Sequence, residues 1–348
     1  MQNPTPLCPF MTIESKPLCL LTKIRRRRIM NHIFILMSAT RRRITACTLV
    51  ALFTSSIVVA AVFGASSETA SDTGQLPAMS AASSMFSRPS DWAPYRPAVH
   101  LTPAKHWMND PQRPLLIDGV WHYYYLYNAD YPKGNGTEWY HSTSTDLVHW
   151  QDHGVAIDKY KNGLGDIETG SAVIDANNTA GFGVGAVIAI MTQQHEGVQR
   201  QSLFVSTDGG YRFKAYEGNP VMDNPGVHDW RDPKIVWDDA RNEWLMVLAE
   251  GHKIGFYTSP DLKRWTYKSG FERHDLGVLE CPDLFRMSID GNPAKTRWVL
   301  ATGANGFKKG MTTGTLYWTG DWDGERFTAD NDEPLWLDAG ADFYAAVT

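Results

Sequence analysis

Across residues 95–348 the apolar positions fall in short runs of Val, Ile, Trp, Tyr and Phe, broken by Gly, Asp, Asn and Pro. No heptads and almost no helical period interrupt this pattern, so it predicts an all-β body. Four segments repeat one design: YHSTSTDLVHW (140–150), LFVSTDGGYRF (203–213), FYTSPDLKRW (256–265) and YWTGDWDGERF (317–327). Each reads as an apolar strand, a Ser/Thr/Gly-x-Asp turn and a closing aromatic. The turn acids are Asp146, Asp208, Asp261 and Asp321, spaced 62, 53 and 60 residues apart. An Asp in such a turn accepts backbone N–H groups, and the aromatic covers the hairpin. One copy would be common turn chemistry. Four in phase, each with room for about four short strands, predict the blades of a β-propeller.

Some 30–40 residues ahead of each hairpin lies a segment of a different kind: HWMNDPQRP (106–114), GDIETGSAV (165–173), DWRDPKIVW (229–237) and LECPDLF (279–285). In propeller order these are the innermost strands, whose ends ring the central tunnel. Asp110, Glu168, Asp232 and Glu280 are therefore expected to meet although they are distant in sequence. A retaining glycosidase needs a carboxylate nucleophile and a protonated acid about 5–5.5 Å apart. Crowding of like charges raises the pKa of one acid and keeps it protonated near neutral pH.

Composition narrows the reading. Apolar residues make up 43% of the 348 residues and charged ones 20%, enough for a packed core. A net charge of −5 disfavours nucleic acid or an anionic membrane surface as the main partner. Three of the four cysteines (Cys8, Cys19, Cys47) precede the globular region, which leaves Cys281 alone in the body. No zinc spacing is present, so neither metal nor cofactor is expected.

The N-terminus changes the picture more. Arg41-Arg42-Arg43 is followed by the apolar stretch 44–65 and then by small polar residues, the layout of a secretory signal. The stretch is longer than an ordinary signal core, so residues 1–65 are expected to hold an extension plus either a cleaved signal peptide or an uncleaved membrane anchor. Residues 66–94, rich in Ser and Ala, read as a linker. The body is expected outside the cytoplasm, as a monomer.

Three of the inner-strand segments also resemble glycoside hydrolase family 32, the invertases, inulinases and levanases. His106-Trp107-Met108-Asn109-Asp110-Pro111 is similar to the family's nucleophile motif, Arg231-Asp232-Pro233 to its transition-state-stabilising motif, and Glu280-Cys281-Pro282 to its acid/base motif. The resemblance covers residues from about 95 to 348 and rests on all three motifs in order. It implies a five-bladed propeller in which Asp110 attacks the anomeric carbon of a fructosyl unit, Glu280 serves as acid and then base, and Asp232 with Arg231 holds the fructosyl hydroxyls. It also implies substrate contacts from Trp107, Asn109, Trp139, Glu168 and Thr169, with ordinary hairpin packing as the alternative role of Trp139.

Three departures from the family pattern stand out. Gln112-Arg113-Pro114 replaces the usual continuation of the nucleophile motif and resembles the subgroup acting on levan. Glu168-Thr169-Gly170-Ser171 places an acid where the family has an aromatic. Leu126 stands where a Gln is common. Residues 342–348 are expected as the inner strand of a fifth blade, with the rest of that blade and a C-terminal β-sandwich absent from this sequence, so that an open ring would be marginally stable and poorly active. The expected activity is hydrolysis of β-2,6-fructan. The alternatives are fructosyl transfer giving a cyclic difructose, a general inulinase or invertase, or an inactive fructan-binding remnant.

Overall fold

A computed structural model describes residues 96–97, 99–306, 313–340 and 342–348. The signal or anchor expected in residues 1–65 and the linker at 66–94 lie outside them. Among the described residues the strands form four antiparallel sheets and there is no helix. The first holds β1 (Trp107–Pro111), β2 (Leu115–Ile117), β3 (Val120–Asn128), β4 (Glu138–Ser144) and β5 (Gln151–Ile157). The second holds β6 (Asp166–Asp175), β7 (Ala186–His195), β8 (Val198–Ser206) and β9 (Lys214–Ala215). The third holds β10 (Trp230–Asp238), β11 (Glu243–Glu250), β12 (Lys253–Ser259) and β13 (Thr266–Glu272). The fourth holds β14 (Val278–Ile289), β15 (Asn292–Asn305), β16 (Gly314–Trp322), β17 (Phe327–Ala329) and β18 (Leu335–Trp336). The main path of each sheet is an antiparallel meander of four strands, as in propeller blades, with β2 added beside β3 and β18 beside β16.

The apolar residues pack between blades. Ile167, Ala172 and Val187 of blade 2 meet Tyr124, Leu126 and Trp139 of blade 1. Ile188, Ile190 and Leu203 on the other face of blade 2 meet Trp230, Ile235 and Met246 of blade 3. Leu245, Val247 and Phe256 of blade 3 meet Leu284, Leu300 and Trp318 of blade 4. Alternation along each strand supplies both faces, which is why these strands read as nearly continuous apolar runs.

The repeated hairpin joins the third and fourth strands of each blade. Asp146 Oδ1 accepts the N–H groups of Val148 and His149, Asp208 those of Tyr211 and Arg212, and Asp261 those of Lys263 and Arg264. In the fourth blade the expected acid is corrected. Asp321 lies within β16 and pairs with Arg297, while Asp323 takes the N–H groups of Glu325 and Arg326. β4, β8 and β12 each end two residues before the aligned acid, whereas β16 runs past Asp321 to Trp322, so the second acid of Asp-Trp-Asp reaches the turn.

The inner strands are β1, β6, β10 and β14. Each breaks register at its acid-bearing segment, between Met108 and Pro111, Ile167 and Gly170, Arg231 and Lys234, and Glu280 and Asp283, and β14 does so again between Ser288 and Ile289. A slip of this kind bends the strand and re-aims its side chains. In three of the four the slipped residues include a proline, which has no N–H to give the ladder. In β6 the corresponding residue is Gly170, where a Cβ would sit 2.2 Å from the Ile190 carbonyl oxygen. Residues 342–348 carry no strand. They run to the axis, where the buried ammonium of Lys234 bonds Asp283 Oδ2 at 2.8 Å and the Thr348 carbonyl at 2.5 Å, and Thr348 N donates to the same carboxylate at 2.7 Å.

Candidate active site

The four register slips fall on the four segments that carry the acids, and they converge on a polar funnel of about 390 Å³. Asn109 and Asp110 reach it from β1, Asp166, Glu168 and Thr169 from β6, Arg231 and Asp232 from β10, and Glu280 from β14. The slip in β6 lets the consecutive residues Glu168 and Thr169 both face inward, which a regular strand forbids. Asp232 and Cys281 adopt φ of +63° and +47°, backbone conformations that non-glycine residues seldom take.

Contacts between blades fix the acids. Thr169 Oγ1 donates to Asp110 Oδ2 at 2.7 Å, and Gln112, fully buried, gives its Nε2 to the Asp110 carbonyl at 3.0 Å while its Oε1 accepts Gly170 N at 2.7 Å. The Cys281 sulfur lies 3.7 Å from Asp110 Oδ2 and 3.6 Å from Asp232 Oδ2, and Cys281 N donates to Asp232 Oδ2 at 2.8 Å. Asp232 N in turn donates to Thr192 Oγ1 at 3.0 Å. Arg231 spans two blades, bonding Asp229 Oδ1 at 2.5 Å and Glu280 Oε1 at 2.9 Å. Tyr344 donates its hydroxyl to Glu280 Oε2 at 2.5 Å.

The funnel perturbs its own acids. Burial raises the Asp110 carboxyl, an effect opposed by the bonds from Thr169 and Cys281 and reinforced by the charge of Glu280. Burial pushes Asp232 up to about 7, against the pull of Arg231 and with help from the charge of Asp110. Glu168 rises to about 8, chiefly through burial and then through the charges of Asp166 and Asp232. Asp232 and Glu168 therefore keep their protons close to neutral pH, as carboxyls crowded into a desolvated site do.

Six of the sequence-derived site residues besides the three acids were expected at the substrate. Asn109, Glu168, Thr169 and Arg231 line the funnel. Trp107, 38% exposed, lines an adjoining hollow instead. Trp139 is corrected: it is fully buried, stacks on Tyr124 and donates its indole N–H to the Glu168 carbonyl at 2.9 Å. It supports the strand beneath Glu168 and has no face to offer a sugar. Leu126 lines the funnel.

Tyr344, Gln112, Gln194 and Gln199 escaped the sequence reading as site residues. Gln199 Nε2 reaches Glu168 Oε2 at 3.3 Å and its Oε1 accepts Trp230 N at 2.8 Å. The available signal was the amide-rich stretch Gln193-Gln194…Gln199…Gln201 around one hairpin.

Comparison with known proteins agrees with this geometry. Residues 100–348 match the glycosyl hydrolases family 32 N-terminal domain. A levanbiose-producing levanase of Bacillus subtilis is 56% identical over 257 residues, covering 73% of this chain and 49% of the relative. An extracellular exo-inulinase of Aspergillus ficuum is 36% identical over 294 residues, covering 73% and 54%. The solved β-fructofuranosidase of Schwanniomyces occidentalis, complexed with fructosyl-erythritol, superposes with a TM-score of 0.66 at 34% identity, covering 72% of this chain and 51% of that one. The chain spans about half the length of these relatives. A propeller whose inner strands bring the three motif acids to one funnel, matched over residues 100–348, belongs to glycosyl hydrolase family 32.

Proposed function

We propose that this chain carries the catalytic propeller of a secreted, levanase-type enzyme that hydrolyses β-2,6-linked fructan with retention of configuration. The observation that carries the reading is the joining of Asp110, Asp232 and Glu280 in one funnel through Cys281 and Arg231. A fructosyl unit enters with its anomeric carbon over Asp110. The Asp110 carboxylate forms a bond to that carbon as the glycosidic bond breaks, and the proton of Glu280 passes to the leaving oxygen. Water then attacks the same carbon, Glu280 takes its proton, and Asp110 is released. Asp232 meets the sugar hydroxyls, whose donors favour its ionised form and stabilise the cationic transition state. Arg231 and Tyr344 occupy both oxygens of Glu280 and so fix the direction from which it delivers its proton. In this reading a fifth blade completes the ring, and residues 44–65 direct export.

Preference for levan is supported by the higher identity to the levanase than to the exo-inulinase, and by the Gln112-Arg113-Pro114 continuation of the nucleophile motif, which resembles the subgroup acting on levan. Incubation of the protein with levan, inulin and sucrose in separate reactions, followed by chromatography of the products, tests the proposal. Release of linear fructose or short fructans from levan in preference to inulin supports it. A cyclic difructose would assign transfer instead, and no product from any of the three would overturn it.

A further inference from the structure

β10 is an innermost strand and pairs with β11 along one edge only. Its other edge is buried at Trp230, where a backbone N–H or C=O left without a partner would be costly. Blade 2 supplies the partners in place of a strand. Gln199 Oε1 accepts Trp230 N at 2.8 Å, and Gln201 Nε2 donates to the Trp230 carbonyl at 2.9 Å. The two amides stand two residues apart on β8 and so project from the same face.

The hydrogen bonds continue past Trp230. Gln201 Oε1 accepts the Thr192 hydroxyl at 2.9 Å, and Thr192 Oγ1 accepts the N–H of Asp232 at 3.0 Å. Thr192 and Gln201 face each other across β7 and β8, and neither has any exposed surface. The direction of each bond is fixed by its neighbours. A flipped Gln201 amide would set its oxygen against the Trp230 carbonyl, two acceptors with no proton between them. Gln201 is itself anchored, its N–H on the Met222 carbonyl at 3.0 Å and its carbonyl on Val221 N at 2.9 Å.

The residue at the end of this run is one that has to be held. Asp232 lies in the register slip of β10, outside the strand ladder, and its φ of +63° persists only where the surroundings impose it. In that conformation its Oδ2 takes the Cys281 N–H at 2.8 Å, across to blade 4. We propose that Thr192 and Gln201 are positioning residues for catalysis. They hold Asp232 in its left-handed conformation and so aim its carboxylate at the fructosyl unit, although neither lines the funnel. This rests on the fructan-hydrolase reading above. Without the pair the Asp232 backbone relaxes, which weakens stabilisation of the transition state more than binding of the ground state.

Three variants test it by steady-state kinetics on levan, with the folded fraction of each set by circular dichroism. Thr192→Val keeps the branched shape and removes the hydroxyl. Gln201→Met keeps the length and removes both amide contacts, while Thr192→Ser keeps the hydroxyl. T192V and Q201M are each expected to lower kcat at least about tenfold with KM changed less than about threefold, and T192S to stay within about twofold of wild type. Because both residues act through one bond to Asp232 N, combining T192V with Q201M is expected to lower kcat by no more than about threefold beyond the weaker single variant. Wild-type kcat in folded T192V and Q201M, or a T192S that falls as far as T192V, would overturn the positioning role while leaving the hydrolase reading intact. Loss of the fold in both T192V and Q201M would overturn it as well, since the pair would then serve the fold alone. A wild-type protein inactive on levan, inulin and sucrose would overturn both readings.

Discussion

Glu168 gives the structure its most quantitative test. Its carboxyl moves from an ordinary value of 4.5 to about 8, because the strand that carries it faces a buried funnel already holding Asp166 and Asp232. Below pH 4.5 the folded and unfolded chains both keep the proton, and the group leaves stability unchanged. As pH rises from 4.5 to 8 the unfolded chain releases the proton and the folded one retains it, so stability falls across that window. Each unit is worth about 1.4 kcal/mol, giving a ceiling of about 5 kcal/mol, which partial solvent access to Glu168 reduces to about 2 kcal/mol. His141 works in the other direction. It is fully buried against His122 and Tyr124, and burial lowers it from 6.5 to about 2. Its contribution is complete above pH 6.5 and declines as pH falls. The two slopes oppose each other between pH 4.5 and 6.5, and above 6.5 the decline due to Glu168 stands without that opposition. Glu168→Gln keeps the shape and the reach to Gln199 but cannot ionise. Urea unfolding of both proteins at about pH 5, 6.5 and 8 should show the variant gaining about 2 kcal/mol on the wild type from the lowest to the highest pH. Parallel pH profiles would refute the assignment of a buried, protonated Glu168.

Three further outcomes follow from contacts on the axis and in the funnel. Lys234→Met leaves the buried Asp283 carboxylate without its ion-pair partner, and should cost about 3–5 kcal/mol in denaturant unfolding. Gln112→Leu strands the Gly170 N–H, and should lower stability by about 2 kcal/mol and reduce kcat on levan, since the slip in β6 positions Thr169 against Asp110. Tyr344→Phe removes the hydroxyl bonded to Glu280, a bond to an ionisable group worth about 1.5–3 kcal/mol. It should lower kcat/KM by about tenfold or more, with kcat falling further than KM rises. Steady-state kinetics that match wild type for Y344F would refute that role.

Much of this architecture could be read without coordinates because blades repeat. The four hairpins announced the sheets, and their phase with the upstream segments identified the inner strands before any distance was known. What escaped was whatever depends on a residue's exact turn of phase or on a partner from another blade. Asp321 and Asp323 are two residues apart and chemically identical, and only the length of β16 decides which one reaches the turn. Trp139 belongs to a strand buried on both faces, so a period of two could not say whether its ring met a sugar or blade 2. Gln199 approaches Glu168 from a hairpin 31 residues away, and Tyr344 approaches Glu280 from 64 residues away. Separations of that size leave no periodic trace in the chain.

The apolar clusters that each join two neighbouring blades carry a consequence for how the molecule comes apart. A sheet that shares its side chains with both neighbours has no private interior to retreat to. The unit that opens first under stress is thus a seam between two blades, and opening any seam separates acids that cooperate across it. Loss of catalytic competence should accordingly precede loss of β-structure on heating, since the seams are also where the chemistry is assembled.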